Sequence, residues 1–199
     1  MAHPLGRRIK QDRDTYEGRA GFMAKKLRKM LGDVNAPSTI ALMNLIDTQS
    51  KETICNWCID YAWEKILPIF EERCPNDPRP RNALIAARDY LEGKVKFTVV
   101  KNVILNECHQ AARELDADPA AQAAARTCGQ ASAVVHTLSH SLGLYFYGAA
   151  AIAYDRVELN ESAEVYNMIA EEVCADITAA LQAVAVEDEP NPAKIKWYC

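Results

Sequence analysis

Apolar residues recur along this chain at helical spacing and nowhere alternate at the two-residue period of a half-buried strand. In TYEGRAGFMAKKLRKML, Phe22, Met23, Leu27, Met30 and Leu31 share one face, and Gly32 ends the segment. STIALMNLIDTQ follows Pro37 as a second helix. Ser50 stands at the N-cap of KETICNWCIDYAWEKILPIFEERC, a long helix in which Pro68 has no N–H to give, so a kink or break is expected there. A proline-fixed turn, PNDPRPR, precedes NALIAARDYLEG, whose Gly93 reads as a C-terminal stop. The segment from Lys94 to Leu115 puts Phe97, Val100, Ile104, Cys108, Ala111 and Leu115 on one stripe, although the β-branched run in FTVV weakens its start.

Beyond it, Asp118 caps an alanine-rich helix with Pro119 at its first position, and Gly129 offers a place to bend. SAVVHTLSHSLGLYFYGAAAIAYDR, residues 132–156, is apolar on nearly every side and so reads as the central helix of a bundle. A last helix, from about Ser162 to Val184, has Val165, Met168, Ile169, Val173, Ile177, Ala180 and Leu181 on its apolar face, and EPNPAKIKWYC closes the chain irregularly. The fold class is therefore all-α: a single-domain multi-helix bundle with a central apolar helix around 132–156. Its expected organisation is a basic helical arm over 1–49, a helical core over 50–185 and an irregular tail over 186–199.

With 199 residues, 49% of them hydrophobic, the chain can bury a sizeable core. It begins with a polar, basic stretch and carries no unbroken apolar run of membrane length, so a soluble, cytoplasmic protein is expected. Seven cysteines scattered through helical segments do not form a disulfide framework, and reduced thiols are the simpler reading. Cys55 and Cys58 match C-x-x-C, but with helical flanks and no second pair they point to neither a redox nor a zinc site. Charge is uneven. The first thirty residues hold nine Lys/Arg against three Asp/Glu, whereas residues 155–189 hold ten Asp/Glu and a single basic residue, Arg156. A nucleic-acid contact through the basic arm is conceivable on charge alone, but no helix-turn-helix, zinc finger or phosphate loop accompanies it, and solvated helix faces are favoured.

Chemistry concentrates in a few polar positions. As a helix, 132–156 would align His136 and His140 with Gly129, Ala133, Gly143 and Tyr147. His109 sits at the edge of its own apolar stripe with Arg113 one turn on, Asp60 and Glu64 are four apart, and Arg79, Arg81 and Arg88 cluster around the proline turn. A metal held by His136, His140 and His109 with Asp60 or Glu64, in a helical metal-binding protein or metal-dependent enzyme or sensor, is the sharper alternative. Helical-bundle metal sites carry Glu-x-x-His or repeated carboxylates, which this chain lacks, so a hydrogen-bonded polar network is favoured and no cofactor is expected. Ser139 and Ser141, adjacent to His140, would point about 100° away on a helix and form no Ser–His pair.

These residues carry a resemblance. The ordered stretches LPIFEERCPNDPRPRNALIAARDYLEGK, HQAARELDADPAAQAAART and GQASAVVHTLSHSLGLYFYGAAA resemble the Imm-5-like group of bacterial immunity proteins from polymorphic toxin systems, over about Cys58 to Ala153. The matching positions are Glu64, Leu67-Pro68, Phe70-Glu71, Asp77, Arg79-Pro80-Arg81, Arg88, Gly93, His109, Arg113, Asp118, Gly129, His136 and His140. Cys128 and Tyr145 to Tyr147 depart from it, standing where the group commonly has small residues. The resemblance implies an all-helical, non-catalytic protein that binds a cognate protein toxin and occludes its surface. For a basic nuclease, the acidic 155–189 region is the candidate face. Neither a membrane nor nucleic acid is implied as a partner, and self-association is left open.

Overall fold

Caps, prolines and glycines set where the helices start and stop. In the computed structural model, which describes residues 27–197, α1 (Pro37–Ile46) begins at a proline, whose missing N–H is no loss in a first turn. Ser50 caps α2 (Lys51–Tyr61) by accepting a hydrogen bond from Thr53 N. Then α3 (Leu67–Arg73) and α4 (Arg79–Leu91) are parted by the proline turn, and α4 ends just before Gly93, whose φ of 73° is open to glycine at no steric cost. Next come α5 (Phe97–Val103), α6 (His109–Glu114) and α7 (Pro119–Ala133), the last capped by Asp118, which accepts from Ala121 N at 3.0 Å. Finally α8 (Ser141–Val157) leads to α9 (Ala163–Val184), capped by Ser162. Among the described residues there is no strand, and the all-α class holds.

Two expected helices contain a wider turn. Pro68 does not break the chain of helical residues from Lys51 to Arg73; the ladder opens over Ala62–Ile66 into a π turn, and Leu67 N–H donates to the carbonyl of Ala62, five residues back. The stripe from Lys94 to Leu115 starts only at Phe97 and has its own π turn at Ile104–Cys108, where His109 N–H reaches the carbonyl of Ile104. The extra residue leaves Val100, Ile104, Cys108 and Ala111 buried and turns Leu105 outward.

The apolar stretch 132–156 is two helices, which corrects the single central helix. Ala133 ends α7, Val134–His136 turn, Thr137 is extended with φ −141° and ψ 103°, and Leu138–His140 form one 3₁₀ turn before α8. The chain folds back so that α8 lies antiparallel on α7: Gly143 faces Gln130, and Gly148 faces Thr127. Alanines and glycines allow this close approach, with Ala121, Ala124, Ala125 and Ala131 of α7 and Ala149, Ala150, Ala151 and Ala153 of α8 excluded from solvent. Gly129 does not interrupt α7, which stays helical through it to Ala133. Around this pair, Phe70, Leu84, Ile66 and Tyr145 are fully buried, each contributing about 1.5–3 kcal/mol of apolar stabilisation.

The other helices cover the pair: α9 lies on α8 and α1, and α3, α4 and α6 lie on α7. Leu27–Leu31 is not helical, contrary to the periodicity, because Leu31 N–H donates across to Phe146 O at 3.1 Å and Gly32 then turns with φ 97°. A side chain at Gly32 is excluded, since its Cβ would lie 2.4 Å from the Tyr145 hydroxyl. The rest of that expected helix lies outside the described residues. At the other end, the tail folds onto the α1–α2 corner: Gln49 O accepts from Ala193 N, Gln49 Oε1 accepts from Val186 N, and Glu189 accepts from Ser50 N and Thr53 Oγ1. Among the described residues no helix is long and apolar enough to cross a membrane.

Candidate functional site: a histidine groove beside arginine clamps

The three histidines come together, though by a different route from the one their spacing suggested. The break after α7 places His136 on an exposed turn and His140 in the 3₁₀ turn, and their rings lie 5.5 Å apart between centroids. His109 reaches the same groove from the second π turn, where it heads α6. Phe97 stacks obliquely on His136 at 5.1 Å and edge-on to Tyr90 at 5.9 Å, which extends the aromatic row. Ile104 and Leu105 add apolar wall, Lys101 stands at the side, and the groove encloses about 270 Å³.

Each imidazole is positioned by a neighbour. His140 Nδ1 is 2.7 Å from Gln130 Oε1 on α7, a bond that holds the proton on Nδ1. Gln130 is fixed in turn against Gly143, where a Cβ would come within 2.6 Å of Oε1. His109 packs on Gly129, so close that a Cβ there would be 3.0 Å from Cε1. Burial pushes the His109 pKa below the ordinary histidine value, and Arg113 and Arg126 push it the same way. For His136, partial desolvation of the ring lowers the pKa, opposed by its hydrogen bond with the Ala133 backbone and helped by Lys51 and Lys101. Burial also lowers that of His140, with His136 and His109 adding to it. The charged side chains behind these shifts are cations, in a protein whose net charge is −4.

The arginines of the proline turn form a second group and do not join the histidines. Arg79 forks onto Asp77 through Nε and Nη2 and bonds Glu114 Oε2 at 2.7 Å, joining the turn and α4 to α6. Arg81 grips Glu71 of α3 with two bonds of 2.6 Å and lies over the Trp63 ring at 4.8 Å. Arg88 reaches back to Asp60 and Asn56 of α2. Its hydrogen bond from Arg79 holds the Asp77 carboxyl below the ordinary carboxylate range, and Arg79, with help from Gln110, does the same for Glu114.

Glu64 is exposed on the first π turn, and Arg113 bonds Gln110 and the Leu105 carbonyl on its own helix. A single buried network is therefore not what these residues make, and His136, expected inside it, is exposed. Asp60 and Glu64 are not brought to the histidines; among the described residues no three His, Cys, Asp or Glu are grouped to hold a metal. Cys55 and Cys58 are both buried in α2, and burial pushes the Cys55 thiol up to about 12 and Cys58 well above the ordinary value.

A family model described as Imm-5 like putative immunity protein matches residues 44–180. The chain belongs to this family. No curated protein and no solved structure matches it. The match extends beyond the 58–153 resemblance on both sides and takes in the last turn of α1 and most of α9. In this Imm-5-like chain, several of the matching positions have clear structural work: Asp118 caps α7, Gly93 ends α4, Arg79 and Arg81 clamp helices, and Gly129 admits His109. Sequence reading missed Gln130, Lys101 and Phe97 as members of the groove and Trp63 as the partner of Arg81. The signals available for the first three were only a polar residue on a buried helix and an apolar stripe next to a lysine.

Proposed function

We propose that this Imm-5-like protein binds a cognate protein toxin and neutralises it by covering its working surface, with no catalysis of its own. The observation that carries this reading is the family match over residues 44–180. The helical scaffold supports it: its polar positions are largely engaged in ion pairs between helices, a pattern suited to a rigid body that presents a face. The reading places the protein in the cytoplasm of a toxin-producing bacterium, where free thiols persist. The face proposed for the toxin is the exposed side of α9 with the loop before it, where Glu158, Glu161, Glu171, Glu172 and Asp176 are exposed beside Met168. Such a face suits a basic partner and would speed its approach.

The test is to co-express the protein with the effector encoded beside its gene. Growth restored by the intact protein and a stoichiometric complex on size-exclusion chromatography are expected. Glu158→Lys with Glu172→Lys should slow association at low salt by about tenfold and leave folding unchanged. An effector that stays toxic and forms no complex would overturn the assignment.

A further inference from the structure

We infer that the histidine groove is a binding site for a small apolar monocarboxylate, an aromatic or branched-chain acid whose body fills the groove and whose anion meets Lys101 and the imidazoles. Shape and charge carry this together. Phe97, Ile104 and Leu105 provide apolar walls, and Leu105 is 46% exposed, a large side chain left facing outward beside the groove by the π turn. About 270 Å³ suits a ligand of one ring or a short branched chain and is small for a folded segment.

The charge pattern selects the anion. Lining the groove are Lys101, His109, His136 and His140, and among the described residues no carboxylate lines it. From the elements packed around it, Lys51 of α2, Lys101 of α5, Arg113 of α6 and Arg126 of α7 act on the imidazoles, while Gln130 of α7 offers a neutral oxygen to His140. An acidic protein has here gathered cations around an apolar slot, which attracts a carboxylate and repels an amine. All three imidazoles are less basic than usual in the empty groove, so an incoming carboxylate would stabilise their protonated forms and binding would take up protons. Affinity should therefore rise as pH falls from about 8 to about 5.5, above the range where the ligand's own carboxyl titrates.

Phenylacetate and isovalerate serve as probes, with phenylacetamide, benzylamine and acetate as the neutral, cationic and bodiless controls, using the full chain and the histidine side-chain resonances as the readout. Saturable one-to-one binding by at least one of the two acids is expected, with shifts at His109, His136 and His140 and with each control at least about tenfold weaker. Lys101→Gln should weaken the acid about three- to tenfold, and Leu105→Glu, at an exposed position that leaves folding intact, should abolish binding. Phenylacetamide binding as tightly as phenylacetate, neither acid moving a histidine resonance, or Leu105→Glu binding like the parent would each overturn the site. Toxin binding through α9 is a separate property, and neither result bears on the other.

Discussion

Gly129 in α7 and His109 at the head of α6 touch so closely that a methyl group on the glycine would lie 3.0 Å from His109 Cε1 and 3.2 Å from Nδ1. Two effects oppose each other there. Alanine in a helix interior gains about 1 kcal/mol over glycine, and forcing the imidazole aside costs a similar amount. Gly129→Ala should therefore change stability by less than about 1 kcal/mol and still shift the His109 resonances, whereas Gly129→Val, with two more carbons to place, should cost about 2–3 kcal/mol. Chemical denaturation of both variants checks this; a Gly129→Ala protein more than 2 kcal/mol less stable would mean that His109 has no room to yield.

The same histidines set a pH dependence. Their folded pKa values lie below the unfolded one, so the unfolded chain binds more protons as pH drops through about 6.5. Their contribution is complete above that pH and is lost as the medium acidifies toward the lowered folded values. Urea midpoints should fall between about pH 7.5 and pH 5.5, and His109→Gln should flatten the slope. Asp77 and Glu114, also lowered, add their loss only below about pH 4, in a separate window. A midpoint that rises toward pH 5.5 would contradict the sign.

Arg79 is tied to two carboxylates on different elements, and a lysine cannot reproduce its fork. Its side chain and both partners are partly exposed, so water screens the pairs, and Arg79→Lys should cost only about 0.5–1 kcal/mol. The difference from the parent should shrink as salt rises to about 1 M. A deficit independent of salt would shift the explanation to packing of the side-chain stem.

Gln49 tests whether the tail is structural. It is buried and joined to Val186 in both directions, and its backbone carbonyl accepts from Ala193. Gln49→Ala strands the Val186 groups and should cost about 1–3 kcal/mol. In a chain ending at Ala185 the same substitution should cost under 1 kcal/mol, because its partners are already gone. Equal costs in both backgrounds would separate Gln49 from the tail.

Burial leaves Cys55, Cys58, Cys108 and Cys128 without thiolate at neutral pH; Cys108, which donates to Ala125 O, is pushed up to about 12. Peptide mapping after iodoacetamide treatment should find Cys74, the partly exposed one of the described six, labelled before these four. Rapid labelling of the Cys55–Cys58 pair would reopen a redox role.

Helix boundaries with a local chemical cause could be read from the chain alone. Ser50 and Asp118 cap the helices they were expected to cap, the last helix begins at the Ser162 cap where its start was expected, and Gly93 stops α4. The pairing of Arg88 with Asp60 was not read, because spacing along one segment does not say which segment lies beside it. What could not be read depends on tertiary placement. An apolar run looks the same whether it forms one long buried helix or two that fold back, so the break at Val134–His140 left no mark in the periodicity of 132–156. Leu31 has the spacing of a helical residue, but its N–H finds Phe146. The histidines were given the wrong neighbours, because their grouping depends on that same break.

The two π turns also make chain length adjustable at two points. Each five-residue turn holds one residue more than an α-helical path needs, so losing a single residue inside Ala62–Ile66 or Ile104–Cys108 lets the ladder close to the regular four-residue step while the flanking apolar faces keep their aim. A one-residue deletion within α7 has no such slack and would rotate every later side chain by about 100°. Relatives that differ in length by one residue should therefore carry the gap at these turns, and with it lose the outward step that exposes Trp63 or Leu105.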